Sequence, residues 1–163
     1  MDHKITQLDE YLFGVGRHYE IYEKLGAHIM TEDGRDGVYF AVWAPHAKQV
    51  SVVGDFNEWE PGRHPMKKLV KSGIFERFIP DIKKGDLYKF AVETDDGNIL
   101  FKADPYGNYA QKRPDTASVV TDIEHFNWTD QNWEDDIRRR DTYKSPVAIY
   151  EVHLGSWKKD ETG

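Results

Sequence analysis

The residues whose types could support chemistry are acidic side chains, histidines and one aromatic loop. The 29 Asp and Glu residues lie mostly in predicted turns or in a predicted helix, and no two of them are favoured as a glycosidase-like pair. The seven histidines show no two-histidine helical spacing and no cysteine is present, so a metal site has no support. No serine lies in the glycine-flanked elbow of a nucleophile, and no glycine-rich phosphate loop precedes a helix. The sequence therefore predicts no catalytic residue, no metal and no cofactor.

The aromatic loop is the strongest binding candidate. Residues 54–62 are rich in turn formers, and Trp59 lies among them where a large indole has no obvious core to fill. An indole face packs against the apolar face of a pyranose, while neighbouring polar groups bind the ring hydroxyls. Asn57 in the same loop, Lys89 on the outer face of a strand and Asn98 in a turn are suitable neighbours. In the alternative interpretation, Trp59 folds back over the core and Lys89 is merely solvated.

Composition limits the classes of partner. The net charge of -7 disfavours nucleic acid and anionic membranes, because a basic surface would oppose the average field of the protein. The absence of cysteine fits a reducing compartment, and no apolar run approaches the roughly 18 residues needed to span a bilayer. We therefore expect a cytoplasmic protein with no nucleic-acid or membrane partner. The aromatic content of 13% is high and suits a β-rich core or a carbohydrate site.

Short strands with regular turn signals run from residue 27 to residue 121. In the strand at 87–94, Tyr88, Phe90 and Val92 share one face and are predicted to be core. The strand at 38–43 is apolar on both faces, so both should be covered, with Trp43 in a packing role. The pattern predicts an all-β, immunoglobulin-like antiparallel β-sandwich with short flanking helices. The predicted strands are 28–30, 38–43, 49–53, 66–70, 74–79, 87–94, 99–101 and 117–121.

Different segments flank the predicted sandwich. Residues 1–26 should form short helices, and residues 122–145 a linker with a short helix capped by Asp130. In residues 146–163, the run at 147–154 is apolar on both faces, as in a parallel-sheet strand buried on both sides. This segment is predicted to be the truncated start of a larger domain.

Several runs resemble the N-terminal glucan-binding module of glycogen branching enzymes, which belongs to carbohydrate-binding module family 48. The resemblance covers roughly residues 11–159, and the last run resembles the first strand of the catalytic barrel of that family. The runs are FAVWAPHA at 40–47, VSVVGDFNEW at 50–59, RHPM at 63–66, LYKF at 87–90, KADPYG at 102–107, RPDTAS at 113–118 and IYEVHLGSW at 149–157.

The resemblance implies a parent enzyme that cuts an α-1,4-glucan chain and rejoins the freed segment through an α-1,6 bond, with retention. Its two catalytic carboxylates belong to later barrel strands, so the chain itself is expected to be inactive. The implied ligands are glycogen and maltooligosaccharides, and the implied partner in cis is the missing barrel. Two alternatives remain: the same module from a debranching or trehalose-releasing relative, and a stand-alone glucan sensor.

The resemblance also assigns roles to residues. Trp59 and Lys89 match the sugar site of related modules, which carry a second tryptophan just after the Asp-Gly turn. This chain has Asn98-Ile99-Leu100-Phe101 there, and Phe101 can replace that tryptophan if it faces outward. A contact between module and barrel is expected through Asp104, Tyr106 and Arg113.

Overall fold

Eight β-strands form two antiparallel sheets in the first part of the chain. A computed structural model describes residues 3–123, 127–141 and 143–158, and the chain divides into two compact units at residue 125. A short helix, α1, and a 3-10 helix precede the strands. The elements of the first unit are α1 (Gln7–Gly14), the 3-10 helix Ile21–Glu23, β1 (Gly26–Glu32), β2 (Arg35–Trp43), β3 (Gln49–Gly54), the 3-10 helix Asp55–Asn57, β4 (Lys67–Leu69), β5 (Ile74–Pro80), β6 (Leu87–Glu93), β7 (Ile99–Lys102) and β8 (Ser118–Val119).

The two sheets have different strand orders. The first has the order β1-β2-β5-β4, and the second has the order β3-β6-β7. Strand β6 is central in the second sheet: β3 pairs with one edge, and both β7 and β8 pair with the other. Its residues 90–93 pair with β7, whereas Leu87 and Tyr88 pair with β8. The start and the end of β6 therefore have different neighbours.

The main core contains the inward side chains of both sheets. Strands β2 and β5 contribute from the first sheet, and β3 and β6 contribute from the second. Burying each aliphatic or aromatic side chain contributes about 1.5–3 kcal/mol, so this cluster drives the pairing of the sheets. Its buried residues are Val38, Phe40, Val42, Ala47, Val50, Val52, Met66, Phe75, Ile79, Ile82, Tyr88, Phe90 and Val120.

The N-terminal segment covers the outer face of the first sheet. Tyr39 and Ala41 of β2 are buried there beneath Ile21 and Leu25. At the start of α1, Thr6 caps the helix by accepting a hydrogen bond from the backbone N–H of Asp9. The apolar residues on both faces of β2 are thus explained, because one face meets the second sheet and the other meets this segment.

The all-β prediction is confirmed, and the arrangement is an immunoglobulin-like β-sandwich with short flanking helices. Tyr88 and Phe90 are buried as predicted, and Val92 packs against the same cluster. Trp43 packs on Phe13 with ring centroids 5.7 Å apart, yet it stays 53% exposed because it is the last residue of β2. Its packing role is therefore at the edge of the covered face.

The second unit contains two helices among its described residues, α2 (Gln131–Arg139) and α3 (Leu154–Trp157). Ion pairs one helical turn apart, between Glu134 and Arg138 and between Asp136 and Arg140, line α2. The prediction of a strand at 147–154 is not met: residues 147–153 lie outside any strand and α3 begins at residue 154. Isolated extended chain has no ladder partner to satisfy its backbone, which explains the difference. In the described part of the chain, no helix has the length and hydropathy required to cross a membrane.

Candidate functional site

A tight turn after β3 presents the indole of Trp59. Asn57 is buried; its side-chain oxygen accepts a hydrogen bond from Gly54 N (2.9 Å) and its amide nitrogen donates to Val52 O (2.9 Å). Glu58 and Trp59 follow with left-handed φ angles of 59° and 57°, and Trp59 N donates to Gly54 O (3.0 Å). The local hydrogen bonds of the asparagine therefore hold a turn that reverses the chain at the end of β3.

The orientation of the indole is fixed by an acidic neighbour. Trp59 Nε1 donates a hydrogen bond to Asp55 Oδ1 at 2.7 Å. The distance is typical of an N–H donor facing a charged acceptor, which makes the bond stronger than a neutral one. An ionised carboxylate offers about four lone-pair sites, so Asp55 keeps acceptor capacity for a ligand.

Lys89 lines the same surface groove as Trp59. It lies on the outer face of β6, and its Nζ donates to Thr116 Oγ1 at 2.8 Å. A lysine ammonium has three N–H donors, so two remain for other acceptors. This groove has a volume of about 420 Å³ and is called the Trp59 groove from here on. Its lining residues are Asp55, Trp59, Leu87, Lys89, Gln111, Pro114, Asp115, Thr116 and Ala117.

A buried hydrogen-bond network lies where β8 pairs with β6. Tyr88 donates its hydroxyl to Asp104 Oδ2 (2.6 Å), and the other carboxylate oxygen accepts from Tyr106 N (2.8 Å). Asp104 N in turn donates to Ser118 Oγ (2.9 Å), at the start of β8. Burial raises the pKa of the Asp104 carboxyl above its ordinary value, although the two hydrogen bonds that it accepts oppose the shift. Burial and the adjacent Asp104 raise the pKa of Tyr88.

Charges in the Trp59 groove favour a neutral ligand. Asp55 and Asp115 contribute two carboxylates, against one ammonium from Lys89. An anion such as phosphate would meet net negative charge, whereas a polyhydroxylated ring finds both donors and acceptors. Among the residues that the structure describes, no group of three or more His, Asp or Glu is arranged to hold a metal ion.

Two of the four predicted sugar-binding residues meet in this groove and two do not. Trp59 and Lys89 both line it. Asn57 is 2% exposed and its side chain is engaged with the backbone of the turn, so its place in the structure is internal. Asn98 is exposed in the turn between β6 and β7, where it donates to Asp96 Oδ2 (2.8 Å). That turn follows the end of β6 distant from Lys89.

The three residues expected to contact a barrel differ in exposure. Tyr106 is 37% exposed and Arg113 is also at the surface. Asp104 is 9% exposed and its carboxylate is bound inside the sandwich, so its position indicates an internal role. The expected contact through Tyr106 and Arg113 remains a prediction.

Sequence reasoning missed much of the groove. Gln111, Asp115 and Thr116 come from a loop more than 50 residues beyond Trp59, and only the pairing of β8 with β6 brings them near. Asp55 could have been predicted from the sequence, because it lies four residues before Trp59 in the same turn. Phe101 pairs with Ala91, two positions along β6 from Lys89, and is 47% exposed. It therefore faces outward on the same side of the sheet as Lys89.

Most of the sandwich, including the turn that contains Trp59, matches a known protein family. Residues 24–107 match the model of carbohydrate-binding module 48, the isoamylase N-terminal domain. The chain belongs to this family. The match includes the strands and the turn that supply Trp59 and Lys89, so these two residues of the groove lie within the matched module.

Similar proteins are much longer than this chain. It is 50% identical to the 1,4-alpha-glucan branching enzyme GlgB of Butyrivibrio fibrisolvens over 159 residues, 98% of this chain and 25% of that protein. A second GlgB, from Thermosynechococcus vestitus, is 50% identical over 94% of this chain and 20% of the relative. The chain thus spans about a quarter or less of the curated relatives that it matches. Among solved structures, Klebsiella pneumoniae pullulanase complexed with maltotriose is 27% identical over 60% of this chain and 9% of its own, with a TM-score of 0.48.

Proposed function

We propose that the Trp59 groove binds α-glucan, as glycogen or maltooligosaccharides, and that the chain is the accessory binding module of a 1,4-alpha-glucan branching enzyme. The observation that carries the proposal is that Trp59 and Lys89 line one groove in a module of this family. The parent would cut α-1,4 chains and rejoin them through α-1,6 bonds, with its catalytic carboxylates outside this chain. The proposal includes a cytoplasmic location, which the cysteine-free sequence fits.

Each side of the groove has a separate task in this proposal. The Trp59 face stacks on the C–H face of a glucose ring, and the bond to Asp55 keeps the indole in place before the sugar arrives. The two remaining N–H donors of Lys89 bind ring hydroxyls, while Asp115 accepts from others. Because the groups are already held in position, little ordering of side chains opposes binding.

Similarity to relatives favours this parent over the alternatives. The 50% identical proteins that cover 94–98% of this chain are both named branching enzymes. Binding through Tyr106 and Arg113 to the rest of a parent enzyme is part of the same proposal.

The test is Trp59→Ala with maltotriose and glycogen as ligands, followed by titration calorimetry and by affinity gel electrophoresis. Loss of one aromatic stacking contact, about 0.5–1.5 kcal/mol, should weaken binding about twofold to tenfold. Trp133→Ala removes another indole, 62% exposed on α2, and should leave binding unchanged. Equal affinity of the wild type and Trp59→Ala, with both variants folded, would refute the assignment of the groove.

A further inference from the structure

The outer face of the second sheet continues beyond the Trp59 groove to a second cleft. This cleft, called the Glu93 cleft, has a volume of about 120 Å³ and lies toward the other end of β6. Strand register places Gln49 and Ile99 on either side of Glu93, and Ser51 beside Ala91. The lining residues are Gln49, Ser51, Pro61, Gly62, Ala91, Glu93 and Ile99.

The groove and the cleft lie on one continuous face. Lys89, Ala91 and Glu93 alternate along β6, so their side chains point to the same side of the sheet. From Lys89 to Glu93 the strand rises roughly 13 Å, at about 3.3 Å for each residue. Phe101 lies between the two sites, because it pairs with Ala91, and its ring is about half exposed.

One loop borders both sites. Trp59 lines the groove, and two and three residues later Pro61 and Gly62 line the cleft. Gly62 N donates to Ser51 Oγ (3.0 Å), which ties this part of the loop to β3. A ligand that stacks on Trp59 can therefore continue along the same loop to the cleft.

The chemistry of the cleft suits a sugar ring. Ile99, Pro61 and Ala91 supply apolar surface. Glu93 accepts a hydrogen bond from Lys48 Nζ (2.7 Å) through Oε1, which leaves its second oxygen as an acceptor. Gln49 donates its amide nitrogen to backbone carbonyls, so its side-chain oxygen also remains an acceptor. Apolar surface flanked by hydroxyl acceptors matches one face of a neutral pyranose and disfavours an anion.

We propose that the Glu93 cleft is a second glucan subsite, which binds the continuation of a chain held at Trp59, with Phe101 beneath the connecting segment. The inference rests on the proposed function. Its consequence is a dependence of affinity on chain length: a short oligosaccharide fills the Trp59 groove, whereas a longer one reaches both sites.

The experiment compares maltotriose and maltoheptaose binding by titration calorimetry to the wild type, Ile99→Ala and Leu100→Ala. Ile99 and Leu100 are 47% and 42% exposed on the same strand, but they face opposite sides because they pair with Glu93 and Val92. Ile99→Ala should weaken maltoheptaose binding about threefold to tenfold, by loss of apolar contact, and leave maltotriose binding unchanged. Leu100→Ala should change neither affinity.

A second readout needs no variant. In the wild type, maltoheptaose should shift the backbone amide resonances of Ala91 and Glu93 in a nitrogen–proton correlation spectrum, and maltotriose should not. Equal affinity for the two sugars, or equal effects of the two variants, overturns the second subsite while the proposed function stands. Maltotriose binding that does not depend on Trp59, or no binding of either sugar, overturns the proposed function itself.

Discussion

The hydrogen bond between Tyr88 and Asp104 should control how stability depends on pH, and Tyr88→Phe isolates it. The variant removes one hydroxyl and keeps the ring, whose centroid lies 5.1 Å from that of Phe40 and 5.9 Å from that of Phe90. No cavity is therefore opened in the core. The variant instead removes the hydroxyl that donates a hydrogen bond to the buried Asp104 carboxylate at 2.6 Å.

The expected magnitude follows from the charge of Asp104. A hydrogen bond to a buried charged group contributes about 1.5–3 kcal/mol, so at pH 8 the variant should be about 2 kcal/mol less stable. Burial already raises the pKa of the Asp104 carboxyl in the folded protein above its ordinary value of 3.8. The protonated carboxyl therefore contributes fully to the free energy of unfolding below pH 3.8, and this contribution is lost as the pH rises through the folded-state pKa. Without the Tyr88 hydroxyl the folded pKa rises further. The deficit of the variant should therefore grow with pH, from about 1 kcal/mol in acid, where the bond is between neutral groups.

The assay is urea unfolding of the wild type and the variant at pH 3.5, below the ordinary pKa of Asp104, and at pH 8, followed by far-ultraviolet circular dichroism. Tyr109→Phe is the matched control, because Tyr109 is 62% exposed and a surface change of this kind stays within about 0.5 kcal/mol. Identical unfolding midpoints at pH 8 would refute the contribution of the bond. A deficit larger in acid than at pH 8 would refute the raised pKa as its cause.

Two further predictions concern the backbone and the second unit. Gly37→Ala should cost about 3 kcal/mol in urea unfolding, because an added Cβ would clash with the backbone carbonyl oxygen of Ile79 in β5. Gly14→Ala meets nothing within 4 Å and should be neutral or stabilising; equal losses in the two variants would contradict the steric reason. Deletion of residues 146–163 should leave the thermal unfolding of the sandwich unchanged, because Val147 and Ile149 are 74% and 91% exposed. A fall of many degrees in the unfolding temperature would show that the segment stabilises the sandwich.

Alternation and turn signals were sufficient to predict the sandwich, because each strand carries its own evidence. The core face of β6 was readable from Tyr88 and Phe90 alone, and the two apolar faces of β2 implied a second cover. The prediction of a strand at 147–154 was wrong, although it rested on the same kind of apolar pattern. An apolar run of this kind forms a strand only when neighbouring strands pair with it. Among the described residues, no strand pairs with this segment.

The site was less predictable, because polarity in a loop does not tell which way a side chain faces. Asn57 has the composition of a ligand contact, yet its amide closes the turn that presents Trp59. Gln111 and Thr116 carry no motif and reach the groove through the pairing of β8 with β6. Such residues become visible only when strands distant in sequence are placed side by side.

Trp43 and Trp59 show why an exposed indole does not by itself identify a sugar site. Both are incompletely buried, and both have an engaged indole N–H: Trp43 donates to the backbone of Ser72 (3.0 Å) and Trp59 to Asp55. The ring of Trp43 packs against Phe13 of α1, so that indole helps to hold the helix on its sheet. Trp59 instead lines a groove that also contains the ammonium group of Lys89. The register of β6, which aims Lys89 at that groove, is therefore what distinguishes a binding tryptophan from a structural one.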